Sequence, residues 1–79
     1  MDKIFKFLNK RSSEERKRLI LAIRLISEND LNQLDVKKLR GHSNIFRARV
    51  GNFRIIFEKI GDENHINTIS KRDDRTYKY

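Results

Sequence analysis

The chain has no cysteine, so neither a disulfide nor a thiolate metal site can hold it together. Long apolar runs are missing too, and none approaches the ~20 residues that cross a bilayer as a helix. The opening Met1-Asp2-Lys3-Ile4-Phe5 carries charge but no apolar h-region, so no signal peptide and no membrane partner are expected, and the expected location is cytoplasmic. Proline is absent, and no repeat, low-complexity tract or linker divides the chain. Glycine is scarce: Gly41, Gly51 and Gly61 each stand at a break between periodic segments. No pair of histidines has metal-ligand spacing, so no metal and no cofactor are expected. Acids are in deficit, with 11 Asp and Glu against 19 Lys and Arg, and the net charge is +8.

At 79 residues the chain is long enough for one domain, residues 1–79. A domain of this size buries about 60 % of its surface on folding, so its stability margin is narrow. Hydrophobic residues make up 37 %, which suffices for a small core because they fall in periodic segments. The positive field favours anionic partners: nucleic acid first, then an acidic protein, then an anionic membrane surface. The bland alternative is a basic protein that is merely soluble.

The first half reads as helical. Lys3 to Lys10 forms a short helix with Ile4, Phe5 and Leu8 on one face. Ser12, with Glu15 three residues later, makes a capping-box pattern for a second helix that runs to Ile26 or Glu28. Leu19, Ala22, Ile23 and Ile26 give it an apolar stripe at helical spacing. Asn32 to Gly41 reads as a polar connection, with Lys37, Lys38 and Arg40 adding charge. From Ile45 the period changes to two. Ile45–Val50 and Phe53–Ile60 are strands joined by Gly51-Asn52, a two-residue hairpin loop. Ile66 to Arg72 is a third strand, entered through Gly61-Asp62-Glu63-Asn64, and a short polar tail follows. Helices followed by strands give the fold class α+β: an N-terminal helical hairpin packed on a small antiparallel β-sheet.

A two-residue loop fixes register, so Arg49 faces Arg54, Arg47 faces Ile56 and Phe46 faces Phe57. Phe46, Ala48, Val50, Phe53, Ile55 and Phe57 then share the face toward the helices, and Arg47, Arg49 and Arg54 share the other. The second hairpin has two candidate registers. Pairing Ile60 with Ile66 sets Phe57 against Ile69 and Arg54 against Arg72, with all four arginines on one face. A loop one residue shorter moves Arg72 to the other face and sets Thr68 against Phe57. The first is preferred because it buries Ile69 and leaves Thr68 and Ser70 on the open face. Like charges set opposite each other destabilise a sheet, and no acid is expected beside Arg49 and Arg54. Guanidinium forks match phosphate oxygens, so the cluster fits an anionic partner. Singly, each is an ordinary arginine on a solvated sheet face. His42 and His65 lie in expected loops and read as surface residues.

Leu39-Arg40-Gly41, then Phe46-Arg47-Ala48-Arg49-Val50-Gly51-Asn52-Phe53-Arg54-Ile55-Ile56-Phe57, then Ile69-Ser70-Lys71-Arg72 and Tyr77 resemble the RelE/ParE toxin superfamily. The resemblance covers nearly the whole chain, with the hairpin motif its specific part. Members usually begin with an edge strand; here only Met1 and Asp2 precede the helix, so that strand is missing or shortened. Three main strands and an exposed edge are expected. The interval from Arg72 to Tyr77 is one residue longer than in many relatives.

The resemblance implies the toxin of a type II toxin–antitoxin system. A RelE-like mRNA interferase is an endoribonuclease that cuts mRNA in the ribosomal A site, by attack of a ribose 2′-OH on the adjacent phosphate. Arg47 and Arg49 would handle the 2′-OH and the backbone, Arg54 the scissile phosphate, Arg72 the leaving oxygen, and Tyr77 a base or the orientation of the substrate. Lys37, Lys38, Arg40, Lys71 and Arg75 would flank them as RNA-binding cations. The implied protein partner is a cognate acidic antitoxin, in a toxin–antitoxin hetero-oligomer. A ParE-like inhibitor of DNA gyrase and an inactive nucleic-acid-binding relative are the alternatives.

Overall fold

The computed structural model describes residues 3–41 and 43–71. Two helices, α1 (Lys3–Asn9) and α2 (Ser13–Ser27), precede a single turn of 3₁₀ helix at Leu31–Gln33 and four strands. The strands are β1 (Asp35–Lys38), β2 (Ile45–Val50), β3 (Phe53–Ile60) and β4 (Glu63–Lys71). They form one antiparallel sheet in the order β1-β2-β3-β4, with the helices packed on one face. No described helix is long and apolar enough to cross a membrane.

Local chemistry sets the helix ends. The Glu15 amide donates to Ser12 Oγ at 3.2 Å, and the Ser12 amide donates to Glu15 Oε1 at 3.4 Å, which completes the capping box. At the other end Asn29 takes a φ of +57°, while the Asp30 amide reaches Leu25 O and the Asn29 amide reaches Ile26 O. These are the two hydrogen bonds of a Schellman motif, with Asn in the left-handed position. Arg16 joins the helices: its Nε donates to Leu8 O at 3.2 Å, at the end of α1, and its Nη2 to Arg11 O at 3.0 Å, in the turn that follows.

The core lies between the helices and the near face of the sheet. Leu8, Leu19, Ala22 and Ile26 meet Ala48, Val50, Phe53, Ile55, Phe57 and Ile69. Phe5 does not join them and is 52 % exposed; Ile4, Phe7 and Leu8 form the stripe, at the i, i+3, i+4 spacing that Phe5 misses. Phe7 meets Phe53 edge-on, with centroids 5.9 Å apart, and the Arg11 guanidinium lies 4.6 Å over Phe7.

The β2–β3 hairpin has the expected ends and register: Val50 pairs with Phe53, Arg49 with Arg54, Ala48 with Ile55, Arg47 with Ile56 and Phe46 with Phe57. Elsewhere the polar connection and the three-stranded sheet are corrected. The stretch read as a polar connection contains β1, which pairs along β2, so the sheet has four strands and β2 is not an edge. No strand precedes α1 among the described residues, which start at Lys3.

The second hairpin closes through two residues, Gly61-Asp62, with Gly61 at a φ of +62°, so β4 starts at Glu63 and not at Ile66. Ile60 therefore pairs with Glu63, not Ile66, and Phe57 with Ile66, not Ile69. Between Ile56 and Phe57 the register shifts, leaving Asn67 as the extra residue of a β-bulge. Ile66 and Ile69 stand three apart and would point to opposite faces of a regular strand. The bulge resets the alternation, so both pack against the helix-side core. Arg54 pairs with Ser70, which replaces the expected pairing with Arg72. His65 sits in β4 and not in a loop, exposed as expected.

Candidate nucleic-acid interface

On the face away from the helices the register lays three rows across the sheet. The row beside the Gly51-Asn52 turn runs Asp35, Arg49, Arg54, Ser70. The next runs Lys37, Arg47, Ile56, Thr68, and the third runs Ile45, Glu58, His65. Cationic residues fill the centre of the first row and one side of the second. Acids gather at the opposite end, where Glu58 and Glu63 stand near Asp62 in the β3–β4 turn.

Arg49 and Arg54 are direct cross-strand neighbours, at the spacing where like charges repel. Among the described residues one compensating acid is present that sequence reasoning missed. Asp35 Oδ2 stands 4.0 Å from Arg49 Nη1, with 55 % and 43 % of the two side chains exposed. A pair so open contributes only about 0–1 kcal/mol and leaves Arg49 available to an anion. The signal for Asp35 was the alternation of Leu34 and Val36 with polar neighbours. Four residues of it, mostly charged, were too few to read as a strand.

This face is less open than its sequence suggests. Ile56 is fully buried and Ile45 nearly so, while Thr68 and Ser70 are half-buried. Arg47 and Arg54 are half-buried with them; Nη1 of Arg47 and Nε of Arg54 are shielded from solvent. Guanidinium groups held against apolar side chains act through a lower effective dielectric, which strengthens their attraction for an anion.

The flanking cations divide. Lys37 is the register partner of Arg47 and joins the arginine face. Lys38 pairs with Phe46 and Lys71 with Phe53, so strand alternation assigns both to the helix side, where they are exposed at the margin. Arg40 is exposed in the turn after β1. Arg72, Arg75, Tyr77 and His42 lie outside the described residues. His65 is four residues along the strand from the Arg54 row, roughly 13 Å away at ~3.3 Å per residue, and contacts Glu63 at 3.1 Å. No group of three or more His, Cys, Asp or Glu that could hold a metal occurs among the described residues.

No family model matches the chain. It is similar to Toxin RelE3 of Methanocaldococcus jannaschii, at 48 % identity over 50 residues that make up 60 % of this chain and 57 % of that protein. The matched stretch thus spans little more than half of that relative's length. The crystal structure of a RelB–RelE antitoxin–toxin complex from Methanococcus jannaschii contains a chain similar over its length. The match has a TM-score of 0.73 at 35 % identity, covering 91 % of this chain and 87 % of that one.

The chain belongs to the RelE toxin family. Its two helices on a four-stranded antiparallel sheet are the RelE fold, in the α+β class expected from the order of its periodic segments. In this RelE-like fold the arginine rows are carried by the hairpin whose register is fixed at one end by Gly51, where φ is +58°. A turn with positive φ at its first central position matches the twist of the strands it joins.

Proposed function

We propose that this RelE-like chain is the toxin of a type II toxin–antitoxin system and cuts messenger RNA in the ribosomal A site. One observation carries the reading: Arg49 and Arg54 stand directly opposed across β2 and β3, with Arg47 and Lys37 in the adjoining row. A sheet that holds these cations together, two of them partly shielded from water, is suited to a phosphate in flight. The reaction is attack of a ribose 2′-oxygen on the adjacent phosphorus. The P–O5′ bond breaks, the 2′-hydroxyl proton leaves to water and the departing 5′-oxygen takes one up, and the products are a 2′,3′-cyclic phosphate and a 5′-hydroxyl.

Arg54 holds the scissile phosphate and, with Arg49, stabilises charge as it builds on the phosphorane oxygens. Arg47 orients the 2′-hydroxyl and the backbone. Arg72 and Tyr77 keep the roles that the family resemblance implies, at the leaving oxygen and in orienting a base. Arginine remains protonated throughout the physiological range, so it stabilises charge and does not act as a base. The chemistry therefore rests on positioning and electrostatic stabilisation, with the ribosome helping to orient the RNA. Lys37 and Arg40 extend the phosphate track beyond the reacting bond, and Lys38, Lys71 and Arg75 add the flanking RNA-binding charge that the family resemblance implies. The chain acts in the cytoplasm as one domain. Its protein partner is an acidic antitoxin; the similar structure is that of an antitoxin–toxin complex.

Cell-free translation followed by primer extension on the message tests this. Wild-type protein should give cuts at codon boundaries, and Arg54→Ala should reduce them about 100- to 1,000-fold, the scale seen when one preorganised charge-stabilising donor is removed. Intact message together with stalled gyrase–DNA complexes would overturn the reading in favour of a gyrase inhibitor.

A further inference from the structure

Arg18 projects from α2 and is exposed. Glu14 stands four residues earlier on the same helix, the spacing at which such pairs meet, yet no described carboxylate lies within ion-pair range of Arg18. The side chain lies instead over the β2–β3 turn. A Cβ built on Gly51 would stand 2.8 Å from Arg18 Nη1 and 3.9 Å from Cζ. The guanidinium thus rests on the bare Cα of a glycine, and a larger residue would displace it.

Arg18 also lines a cleft of about 250 Å³ between α2 and the sheet, and Arg49 lines the same cleft. Arg49 therefore serves two places: it pairs with Arg54 in the first row of the sheet, and it borders this cleft. Gln33 adds a polar amide to the lining. Arg49 is thus the cross-strand neighbour of Arg54 and shares the lining of the cleft with Arg18.

We propose that Arg18 and Arg49 together form a second RNA-phosphate subsite at the rim of this cleft, holding the backbone adjacent to the phosphate bound at Arg54. Arg18 is a positioning residue, since it sets the path of the strand and does not touch the reacting bond. The substrate class is single-stranded RNA, and the inference rests on the ribonuclease reading of the arginine face. Gly51 has a part in it beyond turn geometry, because its missing side chain is the seat for the guanidinium.

The probe is a fluorescently labelled 12-nucleotide single-stranded RNA, titrated by anisotropy at several salt concentrations against wild type, Arg18→Ala, Arg18→Lys and Arg54→Ala. Arg18→Ala should weaken binding roughly tenfold and lower the salt slope by about 0.7, the signature of one lost phosphate contact on a single strand. Arg18→Lys should restore the slope and most of the affinity while all variants melt near the wild-type temperature. Unchanged affinity and slope in Arg18→Ala, with Arg54→Ala impaired, overturns the subsite alone. Loss of binding in both Arg18 variants together with loss of the melting transition makes Arg18 a clamp on the turn and overturns it too. Wild-type protein that binds no RNA overturns the subsite, while a message left intact by wild type in the cell-free translation assay removes the parent reading, and the subsite with it.

Discussion

At Gly51 two demands fall on one residue. The φ of +58° suits glycine, and the space where a Cβ would stand belongs to Arg18. Gly61 has a similar φ of +62° but open space around its Cα. Alanine at either position meets a conformational cost of about 1–2 kcal/mol, and at Gly51 it also turns aside the far end of an exposed, flexible side chain, which costs little. Gly51→Ala and Gly61→Ala should therefore lower the melting temperature by similar amounts. The expected drop is about 4–8 °C per kcal/mol for a domain of this size, read by thermal denaturation followed by circular dichroism. A clearly larger drop at Gly51 would mean that Arg18 is held rigidly over the turn. The residues of the arginine face were legible at this scale because Gly51-Asn52 is a two-residue loop, and such a loop permits one register. Asp35 was not, since its partner Arg49 is brought to it by a strand of only four residues.

Between elements, the bulge in β4 separates what the sequence revealed from what it withheld. Strict alternation holds through β2 and β3, so their core and arginine faces follow from period two alone. In β4 the same rule fails at Asn67, where one residue has no counterpart on β3. Without the bulge in view, burying Ile69 required a longer loop, and that choice produced the wrong partners for Phe57 and Arg54. Removing Asn67 should leave Ile66 opposite Phe57 and Ile69 opposite Ile55, now on a regular strand. Such a deletion should retain a cooperative melting transition and the near-native far-ultraviolet spectrum. An unfolded product would show that the extra twist of the bulge, and not merely its reset of alternation, is needed to seat β4 under the helices. Asn64 gives β4 a further hold: its Nδ2 donates to Ile26 O at 2.9 Å and to Asn29 Oδ1 at 3.1 Å, so the strand helps satisfy the C-terminal end of α2.

For the molecule as a whole, a net charge of +8 makes association with nucleic acid strongly dependent on salt. Five phosphate contacts, by Arg18, Lys37, Arg47, Arg49 and Arg54, would give a slope of about −3.5 in log affinity against log salt on single-stranded RNA. Affinity should then fall roughly 100-fold between 50 and 200 mM salt, as measured by anisotropy titration. A flat dependence would mean that the arginine face does not meet the phosphates. The charge is also unevenly distributed along the sheet. Arginines crowd the end at the β2–β3 turn, while Glu58, Asp62 and Glu63 occupy the end at the β3–β4 turn. A polyanion drawing near thus exerts a torque on the protein as well as a pull. Before any hydrogen bond forms, the molecule is swung so that its Gly51 end leads, and the first collisions are already biased toward the face that can hold a phosphate.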